Sequence, residues 1–137
     1  MDASRAIDDF LAAGPFAVVG ASRDRAKYGN KVLRAYLQRG LTVHPIHPTE
    51  AEIEGTPCYR SLSDMPQPPR AVSIVTPPPV TARIVEEAGR LGIHHLWMQP
   101  GAESPEAIRR AEELGIAVIA GGPCVLVKLR YREEPDA

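Results

Sequence analysis

A chain of 137 residues, 44% hydrophobic and 24% charged, is sized for one domain with a single core, expected over 1–137, and is too short for two of ordinary size. Its formal net charge of −1 argues against general nucleic-acid binding, so any cationic site has to be local. No apolar run approaches the ~20 residues that span a bilayer, and Met1-Asp2-Ala3-Ser4-Arg5 lacks the basic-then-apolar order of a signal peptide; a cytoplasmic protein with no membrane contact is the expectation.

The helical spacing of Ile7, Phe10 and Leu11 predicts a short lead-in helix, with Asp2 or Ser4 as N-cap and Gly14 as its stop. Phe16 to Gly20 is apolar at nearly every position, the pattern of a parallel strand covered on both faces. A polar, basic loop follows, and then a helix over Gly29 to Arg39. That helix carries Val32, Leu33, Tyr36 and Leu37 on one face and Gly40 at its left-handed end. Leu41 to Ile46 reads as a second strand whose Pro45, lacking a backbone donor, suits a strand end or an irregular edge.

Between Thr49 and Pro69 the pattern weakens to a surface loop and a short helical turn at Ser61 to Pro66. Ala71 to Val75 is a third strand. The Thr76-Pro77-Pro78-Pro79 run starts a helix whose expected buried stripe is Val80, Ile84, Ala88 and Leu91. Gly92-Ile93 opens a fourth strand through Met98. Ser104-Pro105-Glu106 is an N-cap, a proline at N1 and an acid in the first turn of a helix carrying Ala107, Ile108, Ala111 and Leu114 inward. Gly115 precedes a fifth strand, Ile116 to Ala120, and Cys124 to Tyr131 is either a sixth strand or a terminal turn of helix. Strands alternating with helices predict an α/β, Rossmann-like doubly wound parallel sheet of about five strands, order 3-2-1-4-5, with helices on both faces.

In such a sheet ligands bind beyond the carboxyl ends of the strands, where the winding direction switches. Four loops belong there: Gly20 to Tyr28, His47 to Glu50, Thr76 to Pro79 and Met98 to Gly101. Gly20 lets backbone N–H groups approach a diphosphate, and the helix beginning near Gly29 adds partial positive charge. Ser22 offers a hydroxyl, and Arg23, Arg25, Lys27 and Lys31 offer cations, although the same residues would serve as a solvated surface. The dinucleotide fingerprint G-x-G-x-x-G is absent: Ala21 and Ser22 follow Gly20, and the next glycine is Gly29. No acid ends the second strand, where His47-Pro48-Thr49 stands with Glu50 a step late. Cations with a hydroxyl suit an extra phosphate on the ribose, favouring NADP or coenzyme A over NAD.

No H-E-x-x-H or Cys/His cluster is present, so no metal site is expected. Cys58 and Cys124 form no C-x-x-C pair and read as reduced thiols. His47, His94 and His95 read as structural, and Trp97 and Met98 as packing. No G-x-S-x-G elbow surrounds Ser22, and no catalytic residue is assigned.

Five motifs occur in a fixed order: Val18-Val19-Gly20-Ala21-Ser22, Val43-His44-Pro45-Ile46-His47-Pro48, Leu62-Ser63-Asp64-Met65-Pro66, Val75-Thr76-Pro77-Pro78 and Leu96-Trp97-Met98-Gln99-Pro100-Gly101. Together they resemble the small stand-alone CoA-binding proteins, similar to the CoA-binding domain of the succinyl-CoA synthetase α subunit, over about Ala6 to Arg130. The resemblance implies coenzyme A lying across the strand ends. Gly20, Ala21, Ser22, Arg23 and Tyr28 would meet the phosphates, with Lys27 and Lys31 as further cations. Pro48 and the Thr76, Pro77, Pro78 loop would flank adenine and ribose, and Met98 and Gln99 would edge the site. Gly121-Gly122-Pro123-Cys124 departs from the family, whose members often carry a basic residue before the cysteine, so no role is carried over to Cys124. The synthetase's phosphorylated histidine lies in a second domain, so a non-catalytic module binding CoA or acyl-CoA is expected. Whether it acts as a homodimer or with a partner protein is left open. The alternatives are an NADP-dependent enzyme or nucleotide-sensing regulator using the same loops, and an interaction protein that has lost its ligand.

Overall fold

The computed structural model describes residues 3–122 and 124–133. Its elements are α1 (Ala3–Leu11), β1 (Phe16–Val19), α2 (Tyr28–Gln38), β2 (Val43–Ile46), β3 (Glu52–Ile53), β4 (Thr56–Pro57), a 3-10 turn (Leu62–Asp64), β5 (Ala71–Ile74), α3 (Pro78–Leu91), β6 (His95–Met98), α4 (Pro105–Glu113), β7 (Ala117–Ile119) and α5 (Val125–Lys128). Five of the strands form one parallel sheet in the order β2-β1-β5-β6-β7, and β3 pairs with β4 in a separate antiparallel hairpin.

The winding reverses beside β1, as the expected doubly wound order requires. The place outside β2 is taken by a single residue: Tyr59 forms an isolated parallel bridge with Ile46. Its N–H donates to the Pro45 carbonyl, and its carbonyl accepts from the His47 N–H. Counting that bridge as a rudimentary third strand gives the 3-2-1-4-5 pattern with β7 added. Ala71–Ile74, the third long strand of the chain, consequently lies inside the sheet against β1 and not outside β2. The stretch between them is interrupted by Pro48 and Pro57 and spends its backbone on the small hairpin, so only Tyr59 reaches the ladder.

Strand residues alternate between two apolar layers, as a period of two dictates. Phe16, Val18, Ala71 and Trp97 face α1, α2 and α5, packing with Phe10, Leu33, Tyr36 and Val125. Ala17, Val19, Val72, Ile74, Leu96 and Met98 face α3, α4 and the 3-10 turn. Trp97 is fully buried and meets Phe10 edge-on at 5.3 Å between ring centroids, a geometry worth about 0.5–1.5 kcal/mol beyond its area. Ser73, polar at the sheet centre, is satisfied by the Tyr36 hydroxyl.

Helix ends follow their local chemistry. Ser104 caps α4 by accepting from the Ala107 N–H at 3.1 Å, with Pro105 at the first helical position. Gly92 closes α3 in the left-handed region. The α3 stripe is centred one residue later than expected: Thr81, Val85 and Ala88 are buried, whereas Val80, Ile84 and Leu91 flank them. Ser4 lies inside α1 and so does not cap it, and Asp2 falls outside the described residues. Of the two readings of the C-terminal stretch, the helical turn is the one found.

Candidate nucleotide site at the strand ends

All five sheet strands run parallel, so Val19, Ile46, Ile74, Met98 and Ile119 end at one edge. The loop from Gly20 to Lys27 crosses that edge at the winding reversal, between β1 and β5. Its first residue has φ +94, and a Cβ there would stand 2.7 Å from the Val75 carbonyl oxygen. Only glycine lets the turn lie this close to β5. The second close approach is at Gly29, where a Cβ would be 2.0 Å from the Gly20 carbonyl oxygen. That absent methyl group seats the first turn of α2 directly on the strand-to-helix turn. The spacing of Gly20 and Gly29 lies outside the dinucleotide fingerprint, yet the two residues perform its tight-turn and close-packing tasks.

Lys27, the N-cap residue of α2, makes no side-chain capping bond. The helix therefore presents the N–H groups and partial positive charge of its first turn beside Ser22. The loop itself is held by short-range bonds. Ser22 Oγ accepts from the Asp24 N–H at 3.1 Å, and Asp24 Oδ1 accepts from the Ala26 N–H at 3.0 Å. Asn30, fully buried, donates to the Ser22 carbonyl at 2.7 Å and accepts from Arg34 Nε at 2.7 Å. Arg34 also donates to the Arg25 carbonyl at 2.9 Å and stacks over Tyr131 at 5.4 Å. This buried cation, silent in the sequence pattern, holds the loop directly at Arg25 and, through Asn30, at Ser22.

The loop cations are matched by carboxylates from neighbouring segments. Arg23 meets Glu50 at 3.3 Å, Arg25 meets Glu54 at 3.7 Å, and Lys31 meets Glu133 at 3.6 Å. Glu54 also accepts from Asn30 at 3.1 Å from the tip of the β3–β4 hairpin, where its own φ is +51. His47 is structural in this arrangement: its Nδ1 accepts from the N–H groups of Thr49 and Glu50 at 3.1 and 3.2 Å. The Glu133 carboxyl is held below the usual range, chiefly by the Tyr131 hydroxyl and further by Lys31 and Arg34.

The other side of the edge is built mainly of uncharged residues, with the Glu103 carboxylate accepting from the Gly101 N–H at 3.0 Å. Thr76 bonds the Thr81 hydroxyl at 2.8 Å, while Pro77 and Pro78 begin α3. Gln99 follows β6 and is fully buried. Its Oε1 accepts from the Val125 N–H at 2.9 Å and from the Tyr28 hydroxyl at 3.3 Å. Tyr28 in turn hydrogen-bonds the Cys124 thiol. Burial first, and then Cys124, push the Tyr28 phenol well above its ordinary value, so the hydroxyl stays protonated.

The structure thus gathers Gly20, Ala21, Ser22, Arg23, Lys27, Tyr28, Pro48, Thr76, Pro77, Pro78 and Gln99 on loops at one edge or on the helix starts facing it, with Lys31 about one helical turn beyond. Met98 belongs to the buried layer under α3 and α4, so its side chain is packing. Asn30 and Arg34, unmarked in the sequence pattern, join the site, and Cys124, to which the resemblance carries no role, joins it through Tyr28. Among the described residues no cluster of His, Cys, Asp or Glu is arranged to hold a metal ion, and no helix is long and apolar enough to cross a membrane.

Comparison with known proteins gives this geometry a family. Residues 15–130 match a family model described as a CoA binding domain. A conserved hypothetical protein from Pyrococcus furiosus superposes with a TM-score of 0.78 at 42% identity, covering 82% of this chain and 97% of its own. The α subunit of ADP-forming acetate–CoA ligase II from the same organism is 30% identical over 130 residues, covering 87% of this chain and 28% of its own. ADP-forming acetate–CoA ligase I from Archaeoglobus fulgidus is 36% identical over 74 residues, 54% of this chain and 11% of that protein. The chain therefore spans about a quarter or less of the curated relatives it matches. A matched span from Pro15 to Arg130, taking in every sheet strand and every loop of the candidate site, makes this chain a member of the CoA-binding domain family.

Proposed function

We propose that this domain binds coenzyme A or an acyl-CoA at the carboxyl edge of its sheet and by itself catalyses no acyl transfer. The observation that carries the reading is the crevice shared by the Gly20 turn and the uncapped start of α2, which Gly29 brings into direct contact. Backbone N–H groups at a helix start beside a glycine turn favour an anion such as a diphosphate. Arg23, Lys27 and Lys31 add charge-assisted bonds to phosphate oxygens. The ligase relatives contain this domain within chains several times longer, so acyl-transfer chemistry would come from parts outside this domain.

Melting of the purified protein with CoA, acyl-CoAs, NAD and NADP tests the reading. CoA at ~100 times its dissociation constant stabilises by about 2.7 kcal/mol, which raises the midpoint of a domain this size by roughly 9 °C. Ser22→Asp places a carboxylate against the diphosphate. It abolishes the CoA shift while the ligand-free midpoint stays where it was. Absence of any shift with saturating CoA, or an undiminished shift in Ser22→Asp, overturns the assignment.

A further inference from the structure

We propose that Cys124 is a thiol–disulfide exchange site for the disulfide form of coenzyme A, placed where the thiol-bearing end of the ligand lies. The inference rests on the CoA reading above and on the partition of charge along the strand ends. On the β2 side stand Arg23 and Arg25, with their partners Glu50 and Glu54. On the β5 and β6 side stand the neutral residues Thr76, Pro77, Gln99, Tyr28 and Cys124, and the Glu103 carboxylate of that side is taken up by the Gly101 N–H. Coenzyme A is divided in the same way: its nucleotide end carries phosphates, and its pantetheine arm carries only amides and a thiol. With the diphosphate at the start of α2, the cations take the nucleotide and the neutral side takes the arm. The arm therefore ends at Cys124.

A second observation points to the same place. Gln99 is fully buried, and its Oε1 is held by Tyr28 and Val125, which fixes the orientation of the amide. The Nε2 of that amide has no hydrogen-bond partner among the described residues. A buried amide donor left unmatched is costly, and the uncharged arm of CoA supplies carbonyl acceptors for it. Cys124 itself is a free, half-buried thiol held by the Tyr28 hydroxyl. Cys58, the other free thiol, belongs to the segment outside β2, bonds the Tyr59 carbonyl at 3.8 Å, and has its thiol pushed up by burial.

The exchange balances without an external oxidant. Cys124 Sγ, having released its proton to solvent, attacks one sulfur of the CoA disulfide. The S–S bond of the reagent breaks as the Sγ–S bond forms, and the second CoA leaves as a thiolate that takes up a proton. One disulfide is consumed and one is formed.

The test is intact-mass analysis with peptide mapping after the reduced full-length protein meets CoA disulfide or, separately, glutathione disulfide. The expected product carries one CoA on Cys124 and forms about tenfold faster than the glutathione adduct, because binding holds the reacting sulfurs together. Cys124→Ser gives no adduct; Cys58→Ser gives the full adduct. An adduct mapping to Cys58, equal rates for the two disulfides, or no adduct at all overturns the proposal. The melting shift of the wild-type protein with reduced CoA separates the two readings. A retained shift without an adduct defeats the exchange site alone, and a lost shift defeats the underlying assignment.

Discussion

Replacing Gly29 by alanine sets one methyl group against the strand-to-helix turn. The new Cβ would stand 2.0 Å from the Gly20 carbonyl oxygen and 3.0 Å from its carbon, against an ordinary contact of 3.4 Å or more. The start of α2 has to retreat by about an ångström, because the opposing atoms are backbone and Gly20 is itself pressed against Val75. Overpacking of this kind costs about 1–3 kcal/mol. Alanine's better helix propensity returns up to about 1 kcal/mol. The net loss of about 1–2 kcal/mol lowers the melting midpoint by roughly 3–7 °C for a domain this size. The displaced N–H groups also weaken CoA binding by about tenfold. Gly89→Ala is the internal control. It lies within α3, and its Cβ would meet the Leu114 side chain, nearest at the Cδ1 methyl, 2.9 Å away at the far end of a flexible side chain. The same substitution there is neutral or stabilising, with the CoA shift intact. Thermal and urea unfolding of both variants, each with and without CoA, decides the matter. A Gly29→Ala protein as stable as wild type that still shifts with CoA would refute the claim that this contact shapes the site.

Two further outcomes are expected. Asn30→Ala strips partners from the Ser22 carbonyl and from Arg34 Nε at once, and should cost about 2–4 kcal/mol in urea unfolding; a change under ~0.5 kcal/mol would mean that Asn30 does not hold the loop. Burial, and then the charge of neighbouring His94, lower the His95 pKa below its ordinary 6.5, with Asp9 opposing. The fold thus favours neutral His95 and unfolding favours its protonation, so stability is complete above about 6.5 and declines as pH falls through the window below it. The melting midpoint should drop between about pH 7 and about pH 5, and His95→Gln should flatten that decline; an unchanged slope in His95→Gln would remove His95 as its source.

The parts of this fold that repeat a simple rule were legible in the chain. Buried parallel strands announce themselves as apolar runs, and Ser104-Pro105 or Gly92 as punctuation, because each depends on a few adjacent residues. The inner position of Ala71–Ile74 has a different origin. Lateral strand order is settled by what fills the edge outside β2, and there a single bridge at Tyr59 stands for a strand, too short to leave any periodicity. The β3–β4 hairpin escaped notice for the same reason, since its strands are two residues each. At the site, the loop and its cations were visible by type. Asn30 and Arg34 were not, because a buried Asn–Arg pair on a helix looks like any other polar spacing until its partners are known. In sequence Gly29 marks only the start of a helix, and its packing against Gly20 shows once the fold brings the two together.

On the proposed reading, the carboxylates facing the loop also determine what kind of event ligand capture would be. Arg23, Arg25 and Lys31 each already have an acidic neighbour, Glu50, Glu54 and Glu133 in turn. An incoming phosphate therefore takes cations over from protein carboxylates as well as from dissolved salt ions. Exposed pairs of this sort are worth about 0–1 kcal/mol each, little enough for a multiply charged ligand to displace. A single sulfate or an arbitrary polyanion finds the loop nearly neutral and gains little by approaching. Capture becomes an exchange of counter-ions, more selective than attraction to bare positive charge, and consistent with a chain whose net charge is −1.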